Sequence, residues 1–188
     1  MSQVLNGHSI AGMSTTRDRV TNDFYATPSS SVIALLKVEN IKYPAWECAC
    51  GDGAISKLLD GEVYSSDLID RGFGEVNDFL KDYDHKEFNT IITNPPFNLF
   101  QEFAEHALMM SNDKVIMFGK LQALEGKKRA TFMQNSPLKT VYVFKSRQNP
   151  LRNGSPVDEN GKPWASTMAF AWYVWEKDYK GKPQIEWL

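Results

Sequence analysis

An apolar, β-branched run, Phe88-Asn89-Thr90-Ile91-Ile92-Thr93, stops at Asn94-Pro95-Pro96-Phe97. The run reads as a buried strand. Two consecutive prolines end it, because they fix φ and donate no backbone hydrogen bond. Asn94 precedes a proline and is held near extended geometry. A buried strand must therefore run into a stiff loop that presents one amide side chain, one free carbonyl and one aromatic ring. That set suits a flat heteroaromatic ring bearing an amino group. Two oxygens can accept the amino hydrogens, and the ring of Phe97 can stack on the base. The same four residues also fit an ordinary proline turn, so the rest of the chain has to decide.

Elsewhere strands alternate with helices. Thr27-Pro28-Ser29 opens a helix ahead of residues 32–38. Residues 43–49 form an apolar run, broken by Gly51-Asp52-Gly53; helical spacing resumes over 54–59, and Gly61 closes it. Residues 62–68 read as a second strand that ends at Asp67, and 77–83 as a short connection. Over 98–110 Phe100, Phe103, Ala104, Ala107 and Leu108 make one helical stripe. Strands are expected at 115–118, 140–144 and 168–175, and a helix with a charged middle at 121–133. Residues 145–166, rich in Gly, Pro, Asn and Arg, read as a long loop. Residues 1–22 read as a flexible polar arm, and 23–188 as one domain with no separate recognition domain. The order implies an α/β fold: a Rossmann-like, mostly parallel sheet with helices on both faces. The last two of these strands lack a helix between them and imply an antiparallel edge strand.

A chain of 188 residues fits one domain. Its net charge of −2 does not advertise nucleic acid, so any such contact needs a local patch. One candidate exists: Lys120, Lys127, Lys128, Arg129, Lys145, Arg147 and Arg152, with Glu125 the only acid between Lys120 and Arg152. A charged helix face is more often simply solvated, yet this asymmetry fits a phosphate-binding surface. No apolar run reaches the ~18 residues of a membrane span, and the first residues lack a signal-peptide core. Cys48 and Cys50, two apart, suit neither a disulfide nor a zinc site, and His8, His85 and His106 are scattered, so no metal is expected. These features imply a cytoplasmic protein.

Glu47-Cys48-Ala49-Cys50-Gly51-Asp52-Gly53 places an acid at a strand end and glycines in the turn after it. Glycine lets backbone approach a ligand closely, and ligands of doubly wound sheets lie beyond the carboxyl ends of strands. No third glycine completes a dinucleotide fingerprint. Asp67 ends the next strand, where nucleoside-binding folds place a ribose acceptor. Acids at both strand ends favour a cationic ligand that carries a ribose. Taken singly, Glu47 reads as a surface acid, Asp78-Phe79 as a loop acid beside a core ring, and Phe24 and Tyr25 as core aromatics. Trp46, Trp164, Trp172 and Trp175 read as packing residues, with Trp164 in the long loop.

Together, and in this order, the segments resemble class I S-adenosylmethionine-dependent amino methyltransferases, most of all the small phage and prophage enzymes that methylate adenine N6 in DNA. The resemblance spans residues 23–175. Asn94-Pro95-Pro96-Phe97 matches the family's (Asn/Asp/Ser)-Pro-Pro-(Tyr/Phe/Trp) motif, which implies a catalytic role for Asn94, Pro95, Pro96 and Phe97. It implies S-adenosylmethionine as cofactor, held by Glu47, Ala49, Cys50, Gly51 and Gly53 of the glycine loop and by Asn94. Asp67 is similar to the ribose acid, with Leu68 beside the cofactor adenine, and Asp78-Phe79 to the pair that holds that adenine. Asp23-Phe24-Tyr25-Ala26-Thr27-Pro28 looks like the segment that wraps the methionine end, which brings Phe24, Tyr25, Thr27 and Pro28 into the site. Cys48 departs from the proline of many relatives. DNA is the implied partner, in the bacterial cytoplasm if the gene is a phage's.

The same loop serves enzymes that methylate guanine N2 in RNA or glutamine N5 in proteins. The glutamine enzymes carry a helical substrate domain ahead of the cofactor motif, and 22 residues are too few for one. A cofactor- or DNA-binding module without turnover is the third reading, against which the intact Asn94-Pro95-Pro96-Phe97 argues. Only 15 residues separate Asp78 from Asn94, so no recognition insert lies there, and short or relaxed sequence specificity is expected.

Overall fold

The computed structural model describes residues 24–85, 87–152, 154–155, 157, 160–162 and 168–188. The expected arm, Asp23 and Trp164 lie outside these residues. In chain order the elements are β1 (Tyr25–Ala26), α1 (Ser29–Leu36), β2 (Ala45–Glu47), β3 (Val63–Asp67), β4 (Glu75–Val76), β5 (Thr90–Thr93) and α2 (Phe100–Met110). There follow β6 (Lys114–Lys120), α3 (Lys127–Asn135), β7 (Leu138–Val143), β8 (Leu151–Arg152), β9 (Phe170–Glu176) and β10 (Gln184–Trp187).

Eight strands form one sheet in the order β10-β7-β9-β6-β5-β2-β3-β4. Every neighbouring pair is parallel except the two made by β9, which runs against both β6 and β7. This is the mostly parallel α/β sheet the sequence implies. Its antiparallel strand stands further in than the edge, because β7 and then β10 lie outside it. The period-two alternation of the strands sends side chains to two faces. Trp46, Ile91, Val115, Met117, Tyr173 and Trp175 face α2, whose stripe of Phe100, Phe103, Ala104, Ala107 and Met110 covers them, with Met133 of α3 beside it. Ala45, Ile92, Ile116, Phe118, Trp172 and Val174 face the other way, against Val32 and Leu35 of α1 and Ile55. Helices therefore cover both faces. A fully buried Leu, Ile or Phe contributes about 1.5–3 kcal/mol, so the two layers supply most of the stability.

Three local expectations are corrected. Residues 54–59 do not form an α-helix; they turn into a single 3-10 turn, Ser56–Leu58, and Leu59 is already extended. An α-helical Ser56 N–H would bond to the Asp52 carbonyl. Instead it donates to Glu47 Oε2 at 2.7 Å, while Lys57 Nζ takes the Asp52 carbonyl at 2.5 Å. Residues 121–133 are two pieces, a 3-10 turn at Leu121–Leu124 and then α3, separated by Gly126 at φ 103°. The long loop after β7 is not wholly irregular, since its β8 pairs antiparallel with β1, Tyr25 opposite Arg152 and Ala26 opposite Leu151.

Candidate active site

The sheet brings the singled-out residues to its carboxyl edge. β2 and β5 are neighbours, with Trp46 opposite Ile91, so the glycine loop and the Asn94 loop leave adjacent strands. β3 flanks β2 and delivers Asp67 and Leu68. Lys120 ends β6, and the reversed sense of β9 sets Phe170 opposite it.

At the end of β5, Pro95 is buried, Pro96 is exposed and Phe97 is half-buried. Asn94 Nδ2 donates to the Tyr25 carbonyl of β1 at 2.7 Å. A carbonyl only accepts, so this bond fixes which end of the amide faces which way. It leaves Asn94 Oδ1 buried and without a hydrogen-bond partner. Unpaired buried acceptors are rare and costly in a core, so this one calls for a donor from outside the protein. The ring of Phe97 lies 5.5 Å from that of Phe170 and 6.2 Å from that of Tyr25, and the Lys120 ammonium sits 4.9 Å over it. An aromatic platform, a cation and an unpaired oxygen thus share one corner.

In the glycine loop Gly51 has φ 56° and Gly53 φ 80°. A β-carbon on Gly51 would come within 2.9 Å of the Phe24 ring, and one on Gly53 within 2.4 Å of the Phe73 ring. Both positions thus need glycine for conformation and for space. Arg71 stacks on Phe24 with its guanidinium carbon 4.5 Å from the ring centre. Asp67 accepts from Gly51 N at 2.9 Å with one oxygen and from Ile69 N at 3.0 Å with the other. The acid at the end of β3 thereby holds the loop of β2 in place. Asp52 Oδ1 in the loop is buried without a partner. Across the cleft, Gly154 approaches that carboxylate, since a β-carbon there would stand 3.3 Å from Asp52 Oδ2. Arg71, Phe73 and Gly154 are residues here that the sequence reading did not single out. The signal for Phe73 was the Gly72-Phe73-Gly74 bracket, where both glycines have φ above 70°.

Not every anticipated residue opens onto the cleft. Glu47 is 2 % exposed; its carboxyl turns under the loop to Ser56, taking bonds from both the Ser56 N–H and hydroxyl. Burial pushes its pKa up to about 8, and its bonds to Ser56 only partly offset this. Phe79 is 2 % exposed with its ring at 5.0 Å from Trp46 and 4.8 Å from His106, so its ring is part of the core. Its neighbour Asp78 pairs with Lys81 at 2.7 Å. Leu68, the residue after β3, and Val76, opposite Asp67 on β4, are both exposed. Thr27 is buried, Pro28 precedes α1 and accepts from the Ser31 hydroxyl at 2.7 Å, and Ala49 packs partly on the core. Burial pushes the Cys48 thiol well up and that of Cys50 up to about 12, so neither is a ready nucleophile.

The basic residues leave the same edge. α3 starts at Lys127 just after β6, Lys145 and Arg147 follow β7, and Arg152 lies opposite Tyr25. Lys127, Lys128 and Arg129 are exposed at the first turn of α3, which has no acid and no side-chain cap. Cations there oppose the helix dipole, so they do not serve helix stability. Arg129 also clamps the preceding turn, donating to the Glu125 carbonyl at 2.8 Å and to that of Gln122 at 3.4 Å. Among the described residues no helix is long and apolar enough to cross a membrane, and no group of three or more His, Cys, Asp or Glu is placed to hold a metal ion.

No family model and no curated protein matches this sequence. Solved structures do. A putative class I S-adenosylmethionine-dependent methyltransferase from Listeria monocytogenes superposes with a TM-score of 0.57 at 13% identity, over 87% of this chain and 64% of its own. The modification subunit of a putative type I restriction enzyme from Vibrio vulnificus gives 0.54 at 10% identity, over 87% of this chain and 47% of its own. The 23S rRNA methyltransferase ErmE gives 0.53 at 13% identity, over 85% and 71%. The chain thus has the fold of class I S-adenosylmethionine-dependent methyltransferases, and it spans between about half and two thirds of the first two of these structures.

Proposed function

We propose that this chain binds S-adenosylmethionine and transfers its methyl group to the N6 amino group of adenine in DNA. The observation that carries the reading is Asn94: one end of its amide is tied to the Tyr25 carbonyl, and the other is a buried oxygen with no partner. A purine amino nitrogen is a weak nucleophile because its lone pair is delocalised into the ring. With Asn94 Oδ1 and the Pro95 carbonyl accepting its two hydrogens, that nitrogen moves towards tetrahedral geometry and its lone pair is freed. An amide does not ionise near neutral pH, so Asn94 orients and stabilises and does not act as a base. The buried, protonated thiols leave no covalent cysteine route.

The cleft residues fit the cofactor. Asp67 and the unpartnered Asp52 Oδ1 suit a ligand with ribose hydroxyls and cationic groups, and Leu68 offers apolar surface to an adenine ring. When bound, S-adenosylmethionine would supply the electrophilic methyl group; the protein aligns the amino group. Glu47 buttresses the loop from beneath.

DNA is favoured over a protein glutamine by Lys120, whose cation lies over the ring on which a base would stack. The exposed basic turn of α3 on the same edge suits a phosphate backbone. A restriction-modification subunit among the structural neighbours supports the same choice; the rRNA methyltransferase keeps RNA as a second arm of the test. In a duplex the base must flip out at a cost of a few kcal/mol. Stacking on Phe97 would offset about 1–3 kcal/mol of it.

The test is methyl transfer from labelled S-adenosylmethionine to DNA, RNA and protein in parallel, with wild type and Asn94→Ala. Label should appear at adenine N6 in DNA, and Asn94→Ala should lower turnover about 100-fold or more with the fold intact. Label on guanine or glutamine, or near-wild-type turnover by Asn94→Ala, would overturn the reading.

A further inference from the structure

Tyr25 holds Asn94 through an atom that no side-chain substitution removes. We propose that its backbone carbonyl, fixed by the pairing of β1 with β8, is the positioning group for the Asn94 amide, and that it makes this chain accept Asp at position 94 only in the protonated form. The consequence for turnover rests on the amino-methylation reading; the contact itself does not.

The argument is one of donors and acceptors. Asn94 Nδ2 stands 2.7 Å from the Tyr25 oxygen and donates to it, while Oδ1 is buried without a partner. An Asp carboxylate in the same place has two acceptors and no donor. One oxygen would meet the Tyr25 carbonyl lone pair to lone pair; the other would stand buried with nothing to accept from. Both effects disfavour the anion. The protonated acid removes both. Its O–H donates to the Tyr25 carbonyl and its C=O stands where Oδ1 stood, so the acid then presents the same acceptor as the amide.

The backbone at Tyr25 cannot easily yield. β8 pairs with it on one side, Tyr25 opposite Arg152, and α1 begins three residues further on from Ala26. The charged and titratable groups on the surrounding elements are few. Lys120 at the end of β6 and Arg152 on β8 favour an anion, but Lys120 directs its ammonium at the Phe97 ring. Asp52 in the glycine loop and Asp67 on β3 oppose an anion. Arg71, stacked on Phe24 beside Tyr25, favours an anion, and the buried Glu47 carboxyl, the thiols of Cys48 and Cys50 and the phenol of Tyr25 are the other such groups nearby among the described residues. The tolerance of Asp that the family motif implies therefore does not extend to this chain at neutral pH.

The experiment uses Asn94→Asp with carboxyl-labelled aspartate. The new carboxyl is followed by NMR against pH in the protein alone, with wild type as the blank. Its proton affinity should be raised by about a hundredfold or more over an ordinary aspartate. Methyl transfer to DNA by the variant should be highest at low pH and fall as pH rises through that carboxyl's titration, a limb that wild type lacks because an amide does not titrate. An ordinary titration, or a variant whose activity follows wild type across the range, overturns the proposal. If wild type transfers no methyl to adenine yet the carboxyl titrates high, the contact stands and the amino-methylation reading falls. Should the variant not fold, wild type decides: one Asn94 Nδ2 proton should exchange with solvent at least tenfold more slowly than a free amide. Exchange at the free rate overturns the contact.

Discussion

At position 47 a carboxyl group lies under the glycine loop with a pKa of about 8. An unfolded Glu titrates near 4.3. A folded pKa above the unfolded one means stability is full below the unfolded value and is lost as pH rises to the folded one. Stability should therefore fall between about pH 4.5 and 8, by up to the order of 5 kcal/mol. Glu47→Gln keeps an oxygen for Ser56 and cannot ionise. Denaturant unfolding at pH 5 and pH 8.5 should show a large loss for wild type and a small one for the variant; equal losses would mean that Glu47 does not control it. Asp67 makes a second test. Asp67→Ala should weaken S-adenosylmethionine binding roughly 10- to 100-fold, the scale of a charge-assisted hydrogen bond of ~1.5–3 kcal/mol. Asp67→Asn keeps an acceptor for the Gly51 N–H and should lose less. Unchanged affinity by calorimetry in a folded Asp67→Ala would remove it from the site. Both acids were legible as strand-end residues. Which way each carboxyl turns was not, because that is set by Ser56 and Gly51 on the loop that folds back over them. Phe79 shows the same limit: an aromatic after an acid reads alike in a core and beside a ligand.

Among the elements, α3 has a polar body and a basic first turn, and only its Met133 is buried. Charge reversal at Lys127, Lys128 and Arg129 should weaken DNA binding and flatten its dependence on salt, because fewer counterions are released. Cofactor affinity should not change. Normal binding with an unchanged salt slope would make this turn a solvated face. The central strands were legible because they are apolar runs closed by Gly, Pro or an acid. β1 and β8 were not, since two residues carry no period and their partners lie 126 or so positions apart in sequence. β10, Gln184–Trp187, alternates polar with apolar but is four residues long and has no buried position, too short a signal to read. The missing helix after Gly53 followed from competition: the side chains of Glu47 and Lys57 took the backbone groups a first helical turn needs.

Over the whole molecule, the two edges of the sheet differ in how their basic residues are placed. At the amino edge of the sheet three lysines are paired: Lys114 with Glu39 at 2.6 Å, Lys139 with Glu176 at 2.9 Å, Lys42 with Asp113 at 2.6 Å. They line or flank a cleft of about 510 Å³ whose charges satisfy one another. The basic residues of the carboxyl edge stand on the side where the Asn94 loop and the glycine loop leave their strands. The same edge also carries Asp52, Asp67, Asp70, Glu75 and Asp78, so on a chain of net charge −2 the basic residues make a local patch. With no recognition insert between Asp78 and Asn94, methyladenine mapped by sequencing should fall at a short or degenerate motif; one long, strict motif would count against this. Legibility at this scale was high for layer order and low for placement of the reversed strand. That placement has a consequence for synthesis. β9 is threaded between β6 and β7, yet residues 170–176 are made well after both. On the ribosome, β6 waits with one edge unpaired, and Ile116, Phe118 and Val141 wait with it, bare of their final neighbours. A nascent chain stalled between residues 144 and 169 should be the form that chaperones grip and that aggregates when they are scarce.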